Sequence, residues 1–500
     1  MKEREITRDR DAIIPEGMEI LTQVASLIER DGLLSAGQGL VLGVSGGADS
    51  LCLLDCLVRL GFPVVVAHLD HQLRPGAWRE AEQVLAIARD YRLPAVIERR
   101  EVRPRAGQGR SIEEAARIVR YNFLADVARE RNLKMIATGH TADDQVETIL
   151  MHLLRGAGLS GLSGMHSRTD LGGWVDLDGA GGLELIRPLL ETTRVATEDH
   201  CRSIGLRPIQ DPSNQDRSFF RNRLRLELIP LLETYNPALK DVVLRMGKVM
   251  RAETEFLQAI TREVWQGAVR QAGQHALAIA HKGFVGLPRA VQRSLVREAF
   301  ARLRPGVRDL GFDHVEQAVD GIVRKLAGVT EALPGGLEIV PVGEEVLIRR
   351  TGSPVELPQY PQLTSARARK LRSPGRLALA GGWAIHTQVT ELTRDTWKRI
   401  ESPARDTIAV DVQAAEDLIV RPARRGDRLR PFGMAGSAKI SDIFVNEHVP
   451  FLARARWPLV VAGGTPVWVT GLRAAEDTRL STSAKRAVCI RLEKHEGKVR

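Results

Sequence analysis

Aromatic residues make up only 4% of this 500-residue chain, too few for a protein that reads single strands chiefly on broad stacking platforms. Cysteine is scarcer still. Of the four, Cys52 and Cys56 stand one helical turn apart, and Cys201 and Cys489 are isolated. No Cys-x-x-Cys occurs, so the spacing suggests neither a zinc site nor a redox pair, and a reducing intracellular compartment is expected. A run of about 18 apolar residues is missing, which argues against a membrane span, and Met1-Lys2-Glu3-Arg4-Glu5 has no apolar h-region. The cytoplasm is the expected location. Acid is in deficit too: 72 Lys and Arg against 62 Asp and Glu leave a net charge of +10. That balance suits a polyanionic partner and says nothing about fold. The chain is too long for one core, so several domains are expected.

What is present centres on Ser45-Gly46-Gly47-Ala48-Asp49-Ser50. Val41-Leu42-Gly43-Val44 before it reads as a short buried strand, and Leu51, Leu54 and Val58 after it recur at helical spacing. Adjacent glycines let a ligand approach the backbone and allow positive φ. The first amides of the following helix point into the turn with the positive end of the dipole behind them, which makes an anion site. Both serines offer hydroxyls. Asp49 would repel a phosphate unless a cation lay between them, so it reads as a Mg²⁺ contact. The loop has no Lys and is not a Walker motif; an ordinary Ser-capped turn is the plain alternative.

Downstream, the spacing predicts a helix over 18–34, strands over 63–67, 95–99 and 135–138, and helices over 77–91 and 112–131. Such alternation argues for an α/β fold with a doubly wound parallel sheet, whose ligands sit beyond the carboxyl ends of the strands. Every polar cluster falls there. His68-x-Asp70-His71-x-x-Arg74 follows a strand; it reads as hydrogen-bonding to a nucleotide and nucleobase, with Arg74 for a phosphate, or as plain strand-end caps. Gly139 to Thr148 has Thr141 as N-cap, with Asp144 and Glu147 three apart and Asp143 and Glu147 four apart on one helix. Three carboxylates there suit a cationic co-substrate, although acid in a first turn is common for dipole reasons alone. Glu113, Arg117 and Arg120 line neighbouring helix faces, with Glu113–Arg117 able to form an i,i+4 pair.

SGGADS resembles the SGGxDS loop of the PP-loop ATP pyrophosphatases. Together with HLDHQLR, EEAARIVRY, TGHTADDQVET, LLRGAGLSGLSGM, IRPLL and DPSNQDRSFFRNRLRLELIPLL, it resembles the bacterial tRNA(Ile)-lysidine synthetase family. The likeness is dense from residue 40 to about 235 and weaker beyond. Asp211-Pro212-Ser213-Asn214 reads as a turn before a short basic helix bearing Arg217, Phe219, Phe220, Arg221, Asn222, Arg223 and Arg225. Residues 237–327 are helical in pattern, with Leu287-Pro288 marking an interior helix start. Short strands begin at Leu337 and Val346, residues 351–376 read as a linker, and 377–412 are β-like. Val420 to Gly433 resembles the family's RPGDR-type C-terminal module. The expected divisions are 1–235 (adenylation), 236–330 (helical, substrate-binding), 331–415 (β-rich) and 416–500 (tRNA-binding).

The resemblance implies ATP and Mg²⁺ as cofactors, and free L-lysine and a CAU-anticodon tRNA(Ile) as partners. Ser45, Gly46, Gly47, Ala48, Asp49, Ser50, His68 and Asp70 are then the nucleotide residues, with Asp49 on the metal. Asp144 is expected as binder and base for lysine, assisted by Asp143 or Glu147, while Arg117 and His140 stabilise charge on an adenylated base. Arg74, Glu113, Arg217, Arg221, Asn222, Arg223 and Arg225 are expected to contact substrate. Rival readings are a PP-loop tRNA thiolase and a non-catalytic tRNA-binding protein with a residual nucleotide site. Monomer and homodimer both remain open.

Overall fold

The computed structural model describes residues 18–72, 78–102, 112–174, 176–177, 179–210, 215–305, 310–325, 330–394, 396–397, 403–413, 415–481 and 483–495. Two compact units divide the chain, Met1–Ala259 and Ile260–Arg500. Arg74, Ser111 and the Asp211–Asn214 turn lie outside the described residues.

The first unit opens with α1 (Met18–Arg30), β1 (Leu40–Gly43), α2 (Ala48–Arg59), β2 (Val64–Asp70), α3 (Trp78–Asp90) and β3 (Ala95–Arg99). It continues with α4 (Ile112–Glu130), β4 (Met135–Thr138), α5 (Ala142–Leu154), α6 (Leu159–Leu162), β5 (Arg168–Asp170), β6 (Glu184–Ile186) and α7 (Arg194–Ser203). The sheet order is β3-β2-β1-β4-β6-β5, parallel except for β5. Both faces are covered, which is why the strands read as near-continuous apolar runs. Leu40, Leu42, Met135 and Ala137 pack with α1, α2 and α7 on one side, whereas Val41 and Ile136 pack with Phe123 and Leu124 of α4 on the other. The fold is therefore the expected doubly wound sheet. Chain order reverses between β1 and β4, so the crevice lies where both strands end, at Gly43 and Thr138. After α7 come α8 (Phe220–Arg223), a π-helical turn (Leu224–Leu228) and α9 (Ile229–Tyr235). Helix α10 (Leu239–Ala268) follows and runs past the division between the units.

Antiparallel sheets dominate the second unit. Strands β7 (Val269–Gly273) and β8 (Ala276–Ala280) join β9 (Glu331–Leu333), β10 (Leu337–Val342) and β11 (Glu345–Arg350) in the order β7-β8-β11-β10-β9. Between them lie α11 (His281–Val285), α12 (Arg289–Leu303) and α13 (Phe312–Arg324). Pro288 is the N-cap of α12, as its position before the apolar repeat indicated. The interval read as wholly helical thus contains a hairpin, held by pairing of β8 with β11. Within the stretch read as a linker, Arg369–Lys370 is a strand that pairs with Ile419 and Val420, and the strand Gly375–Ala378 begins. Among the described residues three more sheets follow, one built around Trp383–Glu391 with Arg486–Lys494, one around Leu459–Ala462 with Thr465–Val469, and a two-stranded ladder of Arg428–Leu429 with Ala438–Lys439. Among the described residues, no helix is long and apolar enough to cross a membrane.

Candidate nucleotide and co-substrate site

The glycine loop closes on itself through its serines. Ser50 Oγ donates to Gly47 O at 2.9 Å and accepts from the Ser45 amide at 3.2 Å, and Ser45 Oγ lies 3.3 Å from it. The single hydroxyl proton of Ser50 is thereby used inside the loop. Ser50 shapes the cradle through these bonds. Gly46 has φ +86°, and a Cβ there would sit 2.4 Å from Ile209 Cδ1, so only glycine fits. Gly47 caps α2 without a side chain. Among the described residues, the amides of Ala48 and Asp49 donate no hydrogen bond, as the first amides of a helix are left unsatisfied within it. Across that mouth Gly139 touches the loop: a Cβ on it would stand 2.9 Å from the Asp49 carbonyl.

Asp49 leaves α2 toward α7. Its Oδ1 lies 2.5 Å from the Thr197 hydroxyl and its Oδ2 3.4 Å from Arg194 Nε. Burial raises its carboxyl above the usual value despite these contacts. Arg194 occupies the first turn of α7, where a cation opposes the helix dipole. Its reward is ionic, because Nη2 also reaches Asp144 Oδ1 at 3.3 Å.

Helix α5 carries the acidic cluster. Thr141 and Asp144 form a reciprocal capping box, with Asp144 Oδ2 accepting from the Thr141 amide at 2.9 Å. The other oxygen of Asp144 accepts from Arg221 Nη2 at 3.1 Å. Burial works to raise its carboxyl, but Arg221 and Arg194 outweigh it and hold it below the usual range. Glu147, 1% exposed, accepts from Arg221 Nε and Arg225 Nε, both at 2.6 Å. These two arginines flank the start of the π-helical turn, a widened turn that often marks functional sites. Asp143 faces elsewhere, taking the Arg194 amide at 2.8 Å and Lys240 Nζ at 2.9 Å. Burial pushes it upward, yet the amide and Lys240 keep it low.

Strand β2 runs to Asp70, further than expected, so His68 and Asp70 lie within it on one face. His68 Nδ1 donates to Val44 O at 2.8 Å, pinning β2 to the root of the loop, and burial lowers its pKa. Asp70 accepts from the Gln72 amide at 2.8 Å and from Arg99 Nε at 3.0 Å. Both side chains are buried and committed to protein partners. His140 Nδ1 meets Thr138 Oγ1 at 2.8 Å, and burial followed by Arg187 pushes the imidazole down to about 3. Burial and Arg120 bring His71 down to about 4. Arg117 lies over the rings of Tyr121 (5.6 Å) and Trp174 (5.0 Å). Glu113, exposed on α4, adds its charge to the field around Arg221.

The basic segment divides. Arg221 and Arg225 turn inward to Glu147, whereas exposed Arg217 and Arg223 share Glu227 at 3.6 and 3.9 Å. Arg217 sits in the turn ahead of α8 and not on the helix, and Asn222 Nδ2 donates to Asp216 O to fix that turn. Sequence reasoning missed Arg194, Thr197, Lys240 and Arg187. Arg187 of the IRPLL motif is buried, donates to His166 O at 2.6 Å and Thr169 Oγ1 at 2.9 Å, and has no carboxylate partner among the described residues. A cation in the first turn of α7, against the dipole, was the available signal for Arg194.

Comparison with known proteins fits this geometry. The PP-loop domain family matches residues 18–232, and the TilS substrate C-terminal domain family matches residues 418–492. The tRNA(Ile)-lysidine synthase of Dehalococcoides mccartyi is 33% identical, over 94% of this chain and 98% of its own. That of Geobacter sulfurreducens is also 33% identical, over 95% and 97%. A solved TilS C-terminal domain is 27% identical, covering 26% of this chain and 98% of its own, with a TM-score of 0.23. A glycine cradle at the switch point of a PP-loop sheet and near-complete coverage of relatives at one-third identity lead to one assignment: this chain belongs to the tRNA(Ile)-lysidine synthase family, ATP-dependent ligases of the PP-loop class.

Proposed function

We propose that the chain joins free L-lysine to C2 of the wobble cytidine, position 34, of a CAU-anticodon tRNA(Ile), giving lysidine, AMP and pyrophosphate through an adenylated cytidine. The observation that carries this reading is one juxtaposition. An anion-binding glycine loop at the β1–β4 switch point stands beside carboxylates, Asp143, Asp144 and Glu147, whose present partners are lysine and arginine side chains.

The C2 oxygen of cytosine leaves poorly until it is phosphorylated. With the β- and γ-phosphates against the Ala48 and Asp49 amides, O2 attacks the α-phosphorus in line. The O2–phosphorus bond forms as the bond to pyrophosphate breaks. The lysine ε-amine then attacks C2, the C2–O2 bond breaks, and AMP departs with that oxygen. The ε-ammonium, which titrates near 10.4, must first shed a proton. Asp144 is the assigned acceptor, with Asp143 or Glu147 assisting. While Arg194 and Arg221 hold Asp144 low, it binds a cation better than it takes a proton. Transfer therefore requires that one arginine be drawn away, and an incoming phosphate is the natural competitor.

Asp49 fits a Mg²⁺ contact. It is a hard oxygen donor raised by burial, with only the Thr197 hydroxyl and one long arginine contact to offset its charge. Bound there, the ion would neutralise the departing phosphates. Neutral His140 offers its ring to the adenylated base without adding charge, and Arg117 on its aromatic shelf stabilises charge around that base. Exposed Arg217 and Arg223, with long contacts to a single glutamate, can exchange it for tRNA phosphates at little cost. Arg74 keeps its phosphate role in this proposal. The target base must leave the anticodon stack to reach the crevice. Incubation with isoleucine tRNA transcript, ATP, Mg²⁺ and labelled lysine, followed by nucleoside mass analysis, tests the reading: lysidine supports it, and unchanged cytidine or a thiolated nucleoside refutes it.

A further inference from the structure

Beneath the glycine loop, helices α2 and α7 share a seam containing Cys52, Cys56 and His200. One ligand atom from each lies within 4.8 Å of the others, and all three residues are buried. His200 Nε2 meets Asp55 Oδ2 at 2.7 Å, and Asp55 is itself held by Tyr91 Oη at 2.9 Å and Arg59 Nε at 2.8 Å. That bond leaves the lone pair on Nδ1, which is buried and has no hydrogen-bond partner among the described residues. A carboxylate fixing one ring nitrogen while the other stays buried is the outer arrangement of a metal-bound histidine. An orphaned acceptor there is costly unless something satisfies it. We infer that Cys52 Sγ, Cys56 Sγ and His200 Nδ1 supply three of the ligands of a Zn²⁺ site.

The chemistry selects the ion. Two sulfurs and an imidazole suit Zn²⁺ and exclude Mg²⁺ and Ca²⁺, which take oxygen ligands. Tetrahedral zinc with ordinary bond lengths sets its ligands about 3.5–3.8 Å apart, within the spacing present here. Binding releases two thiol protons to solvent, and Zn²⁺ with two thiolates and a neutral imidazole carries no net charge, which a buried seam tolerates. In the chain without the ion, the hydrogen bond to Cys56 and burial raise the Cys52 thiol. Cys201, next to His200, donates its thiol to Ala48 O at 3.4 Å and stands outside the cluster. Sequence spacing missed the site because the cysteines lie one turn apart on a helix and the third ligand comes from a distant segment. The ion would lock α2 to α7, the two helices that present Asp49, Arg194 and Thr197 to one another. This inference stands independently of which amino acid the enzyme ligates.

The test is the metal content of full-length protein grown with zinc, together with Co²⁺ reconstitution of the stripped chain. Expected are about one tightly held zinc per chain and a cobalt spectrum with thiolate charge-transfer and tetrahedral d–d bands. Both are lost in Cys52→Ala and His200→Gln and kept in Cys201→Ala. The double variant His386→Ala/His495→Ala removes the half-exposed His386–Glu493–His495 cluster of the second unit and should keep the zinc. Zinc lost only in that double variant, zinc retained by folded Cys52→Ala, or wild-type protein without the thiolate band would each overturn the inference. If Cys52→Ala does not fold, the wild-type cobalt spectrum decides alone.

Discussion

Replacing Glu147 by Gln should do more damage than removing any surface charge in the chain. Its carboxylate is buried and receives Arg221 Nε and Arg225 Nε at 2.6 Å and Arg225 Nη2 at 3.1 Å. Glutamine keeps one acceptor oxygen but turns an amide NH₂ toward a guanidinium, leaving two cations short of a counter-charge. Breaking a fully buried pair costs about 3–5 kcal/mol. Both arginine side chains are 27% exposed, so the lower end, about 3 kcal/mol, is the working figure. For a unit of this size that lowers the melting temperature by about 6–12 °C. Adding Arg225→Met to Glu147→Gln should cost less than the sum of the two single changes, because the second removes a cation already stranded. Differential scanning calorimetry of the four proteins makes the comparison. If Glu147→Gln melts within about 1 °C of wild type, or if the two changes add, the buried ionic cluster is not the anchor described here.

Gly46→Ala should abolish tRNA-dependent ATP–pyrophosphate exchange, because its Cβ meets Ile209 at 2.4 Å and φ is +86°; exchange at wild-type rate would remove the loop from the reaction. Asp49→Ala should abolish the same exchange while the circular dichroism spectrum stays native. Asp144→Asn should still adenylate tRNA and stall before lysine addition, and lysidine formed at the normal rate would end its assignment. Burial depresses His71 to about 4 and His140 to about 3, below the ordinary 6.5. Their neutral forms therefore contribute stability that is present above pH 6.5 and is lost as pH falls toward those values. Melting temperature should decline on acidification through that window, and less steeply in His71→Phe.

The parallel sheet was legible because buried strands leave apolar runs, as β4 does; β3, only half-buried, also falls on the residues its composition marked. The β7–β8 hairpin was not. Its alanine-rich sequence favours helix, and only pairing with β11, far along the chain, makes it a strand. Within the site, the loop, Asp144, Glu147 and Arg221 announced themselves by residue type at telling positions. Arg194 and Thr197 did not, since their meeting with Asp49 exists only after α7 folds back on α2. Direction was also hidden. Nothing local says that Ser50 spends its proton on Gly47 or that Asp70 points at Arg99.

One measurement bears most directly on the claim that the cytidine, and not the amino acid, is activated. Purified protein is incubated with isoleucine tRNA transcript and ATP labelled at the α-phosphate, with lysine withheld. The account predicts label on the tRNA, at the wobble cytidine, released as AMP when lysine is added. Label appearing on lysine when the two are mixed without tRNA, with none ever on the tRNA, would contradict it.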